Sequence, residues 1–205
     1  MYIDSYANIV RKRISRLPMG SVFVAEDFAD IAENSRIGVI LSRLEKKQSI
    51  RRVMHGIYDK PEYNTFLHEY LAPFPDQVAR ALARKFGWTI APSGDTALNL
   101  LGLSTQVPAV WSYVSDGGYK KITYNNTTIL FRKTMNREIS NLSCKTAMVV
   151  QALKSLGRTN VTHKEINNLR MKLSVQERKQ MLEEARYVTS WVYEYMKKIC
   201  RSDVA

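Results

Sequence analysis

The pattern that most constrains this chain lies in residues 2–60, where the apolar spacing changes its period in a fixed order. Ile3, Tyr6, Val10, Ile14 and Leu17 recur every three or four residues, which places them on one face of a helix. Asp4 or Ser5 is expected to cap its start, and Pro18-Met19-Gly20 to end it. Ser21-Val22-Phe23 reads as a short strand, followed by a second helix over 25–32 with Phe28, Ile31 and Ala32 facing inward. Glu33-Asn34-Ser35 then turns the chain, with Ser35 as N-cap of a third helix over 36–48. That helix has an apolar stripe of Ile37, Ile40, Leu41 and Leu44, and an opposite face of Arg36, Gly38, Val39, Ser42, Arg43, Lys46 and Lys47. Two β-prone runs, 50–54 and 57–58, flank His55-Gly56 and predict a hairpin. Helix, strand, helix, turn, helix, hairpin is the order of a winged helix-turn-helix, closed here by Pro61.

The pattern changes after Pro61. Residues 63–71 are rich in aromatic residues and take no firm assignment. An amphipathic helix over 76–86, a strand at 88–91 and a short helix over 96–101 begin a small α/β domain, with Pro92-Ser93-Gly94-Asp95 as the turn before that short helix. Asn125-Asn126 between 121–124 and 127–132 signals a hairpin. The last third is helical. It comprises 145–156 stopped by Gly157, then 162–172 opened by Thr162 and Glu165, then one long helix opened by Ser174 and Glu177 and running to about residue 200. The fold class is therefore α+β, in three segments: a winged helix-turn-helix DNA-binding domain at 1–61, an α/β domain at 62–135 and a helical region at 136–205.

Among the 205 residues, 45% are hydrophobic and 24% charged, which excludes a disordered chain. No apolar run approaches the roughly 18 residues of a membrane span, and the first residues lack an apolar signal core, so the expected location is cytoplasmic. Cys144 and Cys200 are isolated thiols without metal-ligand spacing, and no disulfide, metal or cofactor is expected. The net charge of +12 suits a polyanion partner, because each cation placed on a phosphate releases counterions. On the third helix, Arg36, Val39, Ser42 and Arg43 are candidates for base edges in the major groove of double-stranded DNA, and Ser35 at its start is a further DNA-binding candidate. Lys46, Lys47, Arg51, Arg52 and His55 are candidates for phosphates. Arg11, Lys12, Arg13 and Arg16 on the first helix either meet phosphates or complement the helix dipole. The competing interpretation is a winged helix that meets only proteins, with its cations solvated.

Enzymatic signatures are weak. There is no zinc-protease motif, P-loop or dinucleotide-binding glycine pattern. Asp27 and Asp30, three apart on the expected second helix, either bind magnesium or solubilise that helix. Ser93-Gly94-Asp95 is a plain capped turn before it is a phosphate site.

Two motifs carry a family resemblance. One is Ile40-Leu41-Ser42-Arg43-Leu44 followed by Ile50, Arg52, Val53, Gly56, Ile57 and Tyr58. The other runs from Gly94 through Ala97 to Leu101-Gly102-Leu103-Ser104-Thr105-Gln106-Val107-Pro108. Over residues 20–133 the chain resembles the AbiEi-type antitoxins of type IV, abortive-infection toxin–antitoxin systems. The resemblance implies a winged helix that binds operator repeats and represses its own operon. It further implies a C-terminal region that counters a nucleotidyltransferase toxin without requiring a stable complex. A homodimer on paired half-sites would follow. The toxin's own signature, Gly-Ser followed by paired aspartates, is not matched by the spacing of Gly20-Ser21, Asp27 and Asp30, so the chain reads as antitoxin and not as enzyme. The alternative is a protein-interaction module of a phage-defence system that holds a partner without sequence-specific DNA binding.

Overall fold

The computed structural model describes residues 2–135 and 138–201, with side chains from residue 6 onward. Ile3 on the expected apolar stripe, and Asp4 or Ser5 as cap, thus lie outside the described side chains. The fold is mixed α+β, and two compact units divide it at residue 88. The sequence pattern placed its boundaries near 61 and 135.

In the first unit, α1 (Tyr2–Arg16) precedes β1 (Val22–Phe23), α2 (Asn34–Lys46), β2 (Arg51–Met54) and β3 (Ile57–Asp59). The three strands form one antiparallel sheet in the order β1-β3-β2. Val10, Ile14, Phe23, Phe28, Ile37, Ile40, Leu41, Leu44, Ile50 and Tyr58 form its core, so the expected apolar stripes of α1 and α2 do face inward.

The expected second helix is only a 3-10 turn, Ala25–Phe28. Its carboxylates explain the shortness. Asp27 Oδ2 accepts from Val24 N at 3.0 Å, which fixes the first turn, and Asp30 just beyond it is drawn to Arg13. α2 starts two residues before the expected position, and Glu33, not Ser35, stands at its N-cap without a side-chain bond. Its end is set by Gln48, which takes a left-handed φ of 57°.

Residues 63–71, unassigned from sequence, form a two-stranded hairpin of β4 (Tyr63–Asn64) and β5 (Glu69–Tyr70). Asn64 Oδ1 caps its tip by accepting from Phe66 N and Leu67 N. α3 (Pro75–Phe86) then packs on β1, the 3-10 turn and β3. Pro75 suits a first helical position because it has no N–H to leave unpaired, and Gly87 closes the helix in the left-handed region.

The second unit opens with β6 (Ile90–Pro92) and α4 (Gly94–Leu100), then β7 (Val110–Ser115), β8 (Lys120–Tyr124) and β9 (Thr127–Lys133). Sheet order is β6-β7-β9-β8, with β7 and β9 parallel and β8 hairpinned to β9. Trp111, Tyr113 and Ser115 alternate into the core, as a strand with one buried face requires.

The helices α5 (Cys144–Leu156), α6 (His163–Lys172), α7 (Val175–Glu184) and α8 (Ser190–Cys200) follow. The single long helix expected from Ser174 to Cys200 is broken. A 3-10 turn, Ala185–Tyr187, and an extended Val188 (φ −74°, ψ 171°) separate α7 from α8, which pack on each other. Met181, Ala185, Val188, Val192, Met196 and Ile199 keep helical spacing across the break because both pieces feed the same core. No helix among the described residues is long and apolar enough to cross a membrane.

Candidate functional site

α2 exposes its cations because its other face is the core stripe. Ile37, Ile40, Leu41 and Leu44 are 4% exposed or less, which leaves Ser35, Arg36, Val39, Arg43, Lys46 and Lys47 on the solvent side. No ion pair or side-chain hydrogen bond among the described residues engages Arg36, Arg43, Lys46 or Lys47. Val39 is 51% exposed, an apolar residue at the centre of a cationic face.

The opposite flank of α2 is tied to β2. Arg52 Nη2 donates to Ser42 Oγ and to Glu45 Oε2, both at 3.3 Å, and its guanidinium lies 5.5 Å from the Tyr58 ring centre. Ser42 is accordingly half-buried and already bonded, while Arg52 stays at the surface.

Arg51 is different. Its Nε and Nη2 donate to the two carboxylate oxygens of Asp59 at 3.0 and 2.5 Å, and Nη2 also donates to Leu71 O at 2.7 Å. Asp59 is fully buried and sits directly across the sheet from Arg51. Arg51 therefore neutralises an interior carboxylate and is not available to a phosphate in this arrangement. Sequence alone pointed elsewhere: counting back from the Gly56 turn sets Arg52 opposite Asp59, and a bulge between Arg52 and Met54 shifts the register so that Arg51 takes that place. His55 lies at the exposed tip of the β2–β3 hairpin, where its carbonyl accepts from Lys85 Nζ at 2.8 Å.

The cations of α1 also divide. Arg13 forms a bidentate pair with Asp30, both contacts at 2.7 Å, and its guanidinium lies 5.9 Å from the centre of Phe28. Hydrogen bonding from Arg13 holds the Asp30 carboxyl below its ordinary range. Asp27 is bound by Arg84 at 2.6 and 3.0 Å. The two aspartates thus have separate arginine partners. Among the described residues no group of three or more His, Cys, Asp or Glu is placed to hold a metal ion. Arg11, by contrast, is exposed beside α2 and donates to Asn8 Oδ1 at 3.1 Å.

The structure thus leaves Ser35, Arg36, Val39, Arg43, Lys46 and Lys47 exposed on α2, sets Arg11 beside Arg43, Lys46 and Lys47, and holds Arg52 on the opposite flank against Glu45. It turns Arg51 inward and leaves Ser42 as a link to the hairpin. The model of DUF6088, a family of unknown function, matches residues 9–182, and the chain belongs to that family. A search of the curated proteins finds no match.

Proposed function

We propose that this DUF6088 protein is a DNA-binding regulator whose first unit is a winged helix, with α2 as the helix that enters the major groove. The observation that carries the reading is the outer face of α2. It exposes cations that lack acidic partners, while the flank toward β2 is internally neutralised by Arg52 and Glu45. The order of elements, and the pairing of β1 with β3 beside the β2–β3 hairpin, support the finer fold.

In this reading Arg36 and Val39, in the first two turns of α2, meet base edges. Arginine pairs bidentately with guanine, and valine suits a thymine methyl group. Arg52 lies at the side of the hairpin for a flanking phosphate, and Arg51 holds the hairpin's shape from within.

Selection from a randomised duplex pool, followed by titration of the enriched duplex, tests this. The expected result is an enriched motif, with Arg36→Ala weakening it by about 1–3 kcal/mol and relaxing one position. A pool that enriches nothing overturns the reading.

The resemblance to AbiEi-type antitoxins extends the proposal: the chain represses its own operon and counters a nucleotidyltransferase. A second reading, a protein-binding module, is favoured by the β4–β5 hairpin. There Phe66 is 88% exposed and Tyr70 61% exposed, with Leu67 also at the surface. Co-purification with the product of the neighbouring reading frame, in the absence of any selected DNA motif, would favour that second reading.

A further inference from the structure

α1 and α2 enclose a cleft of about 280 Å³. Its apolar base comes from Ala7, Ile40 and Leu44, and its remaining lining is Arg11, Arg43, Lys46 and Lys47. No carboxylate lines it among the described residues. The one acid of α2, Glu45, lies on the other flank against Arg52. Four like charges around one small cleft repel each other. Arg13, Arg51, Arg52, Arg80 and Arg84 of this unit have carboxylate partners. The cleft cations have none among the described residues, and they gather around one apolar base.

The position of Arg43 is informative. It lies four residues before Lys47, and both line the edge of α2 that faces Arg11 of α1. A residue on that edge, shared with Arg11 of another helix, is beside the groove and not at its floor. Two planar guanidiniums across an apolar base form a fork for the anionic oxygens of a phosphodiester.

We propose that this cleft is a phosphate clamp for the DNA backbone, in which Arg11 joins Arg43 and Lys47. α1 thereby becomes a second DNA-contacting helix, and Arg43 positions the duplex instead of reading a base. The proposal rests on the DNA-binding reading above.

The test is fluorescence-anisotropy titration of the full chain on the selected duplex and on a scrambled duplex of equal length, across a range of potassium chloride. Arg11→Ala, Arg43→Ala and Lys47→Ala are each expected to weaken both duplexes equally. Each should also reduce the slope of log affinity against log salt by about 1. All three side chains are exposed, and thermal melts of the variants check that the fold is retained. An unchanged slope for Arg11→Ala, with wild-type binding intact, overturns the clamp alone. A loss for Arg43→Ala confined to the selected duplex places Arg43 on a base and overturns its assignment. Competition by inorganic pyrophosphate, with salt slopes equal in variant and wild type, would assign the cleft to a small phosphate ligand and overturn the proposal. A wild-type chain that binds neither duplex overturns the DNA reading together with it.

Discussion

Arg51 shows how one side chain's partner decides its role. Asp59 has no solvent contact, and its two oxygens are both held by that guanidinium. Removing one partner of such a pair leaves a charge stranded in a medium that solvates it poorly, at a cost of about 3 kcal/mol for a pair whose arginine is partly exposed. Arg51→Ala is therefore expected to lower the urea midpoint of the first unit markedly. Any loss of DNA affinity should track unfolding and not the salt slope. Arg52→Ala, whose ion pair is at the surface, is expected to leave the midpoint within about 0.5 kcal/mol of wild type. These neighbours are indistinguishable as residue types, and both read from sequence as phosphate contacts. What separates them is strand alternation: one side chain faces a buried acid and the other faces α2. The hairpin turn alone would pair Arg52 with Asp59; the bulge that gives Arg51 this place, and the burial of Asp59, follow only from packing.

At the scale of elements, the helices of the second unit depend on their caps. Glu165 Oε2 accepts from Thr162 N at 3.0 Å, and Glu177 Oε2 accepts from Ser174 N at 2.7 Å. Side-chain bonding from Thr162 holds the Glu165 carboxyl below its ordinary range, and backbone bonding from Ser174 does the same for Glu177. A carboxyl depressed in the folded state stabilises above its unfolded pKa, and that contribution is lost as pH falls through the folded value. The second unit is therefore expected to lose thermal stability as pH drops below about 4.5, with Glu165→Gln and Glu177→Gln flattening that dependence, read by circular dichroism melts. Ser174→Ala should cost about 1 kcal/mol. Both boxes were legible because a cap needs only local spacing. The break at Val188 was not, since apolar spacing passes through it unchanged and only the folding of α8 back onto α7 reveals it. The 3-10 turn was missed for the converse reason. Asp27 and Asp30 look like helix solubilisers until Arg84 and Arg13, distant in sequence, claim them.

For the whole molecule, the placement of α3 matters most. A chain cut near residue 61 keeps α1, α2 and the three-stranded sheet but loses the ties that four later residues make into them. Gln77 Oε1 accepts from Val22 N, Arg84 binds Asp27 and Val22 O, Lys85 donates to His55 O, and Leu71 O accepts from Arg51. It also loses the apolar face of Val78, Ala79 and Leu82, all 2% exposed or less. A fragment of residues 1–88 is expected to unfold cooperatively in urea, with a midpoint well above that of residues 1–61. Equal midpoints would mean that α3 adds nothing to the unit. The sequence pattern set its boundary at Pro61 because the hairpin ends there and periodicity restarts. It carried no sign that the restarted helix returns to the first core.

The same return has a consequence for the β2–β3 hairpin. Gly56 turns it with a φ of +75°, and the tip is held to α3 through Lys85 and the His55 carbonyl. Such a tie leaves the tip less configurational freedom to lose when a ligand arrives. An arm rigid in advance surrenders little entropy on docking, so more of its contact energy survives as affinity. It also cannot reshape itself to follow a distorted groove. On the DNA reading, this protein should therefore discriminate between duplexes by their static shape, tolerating bent or widened sites poorly.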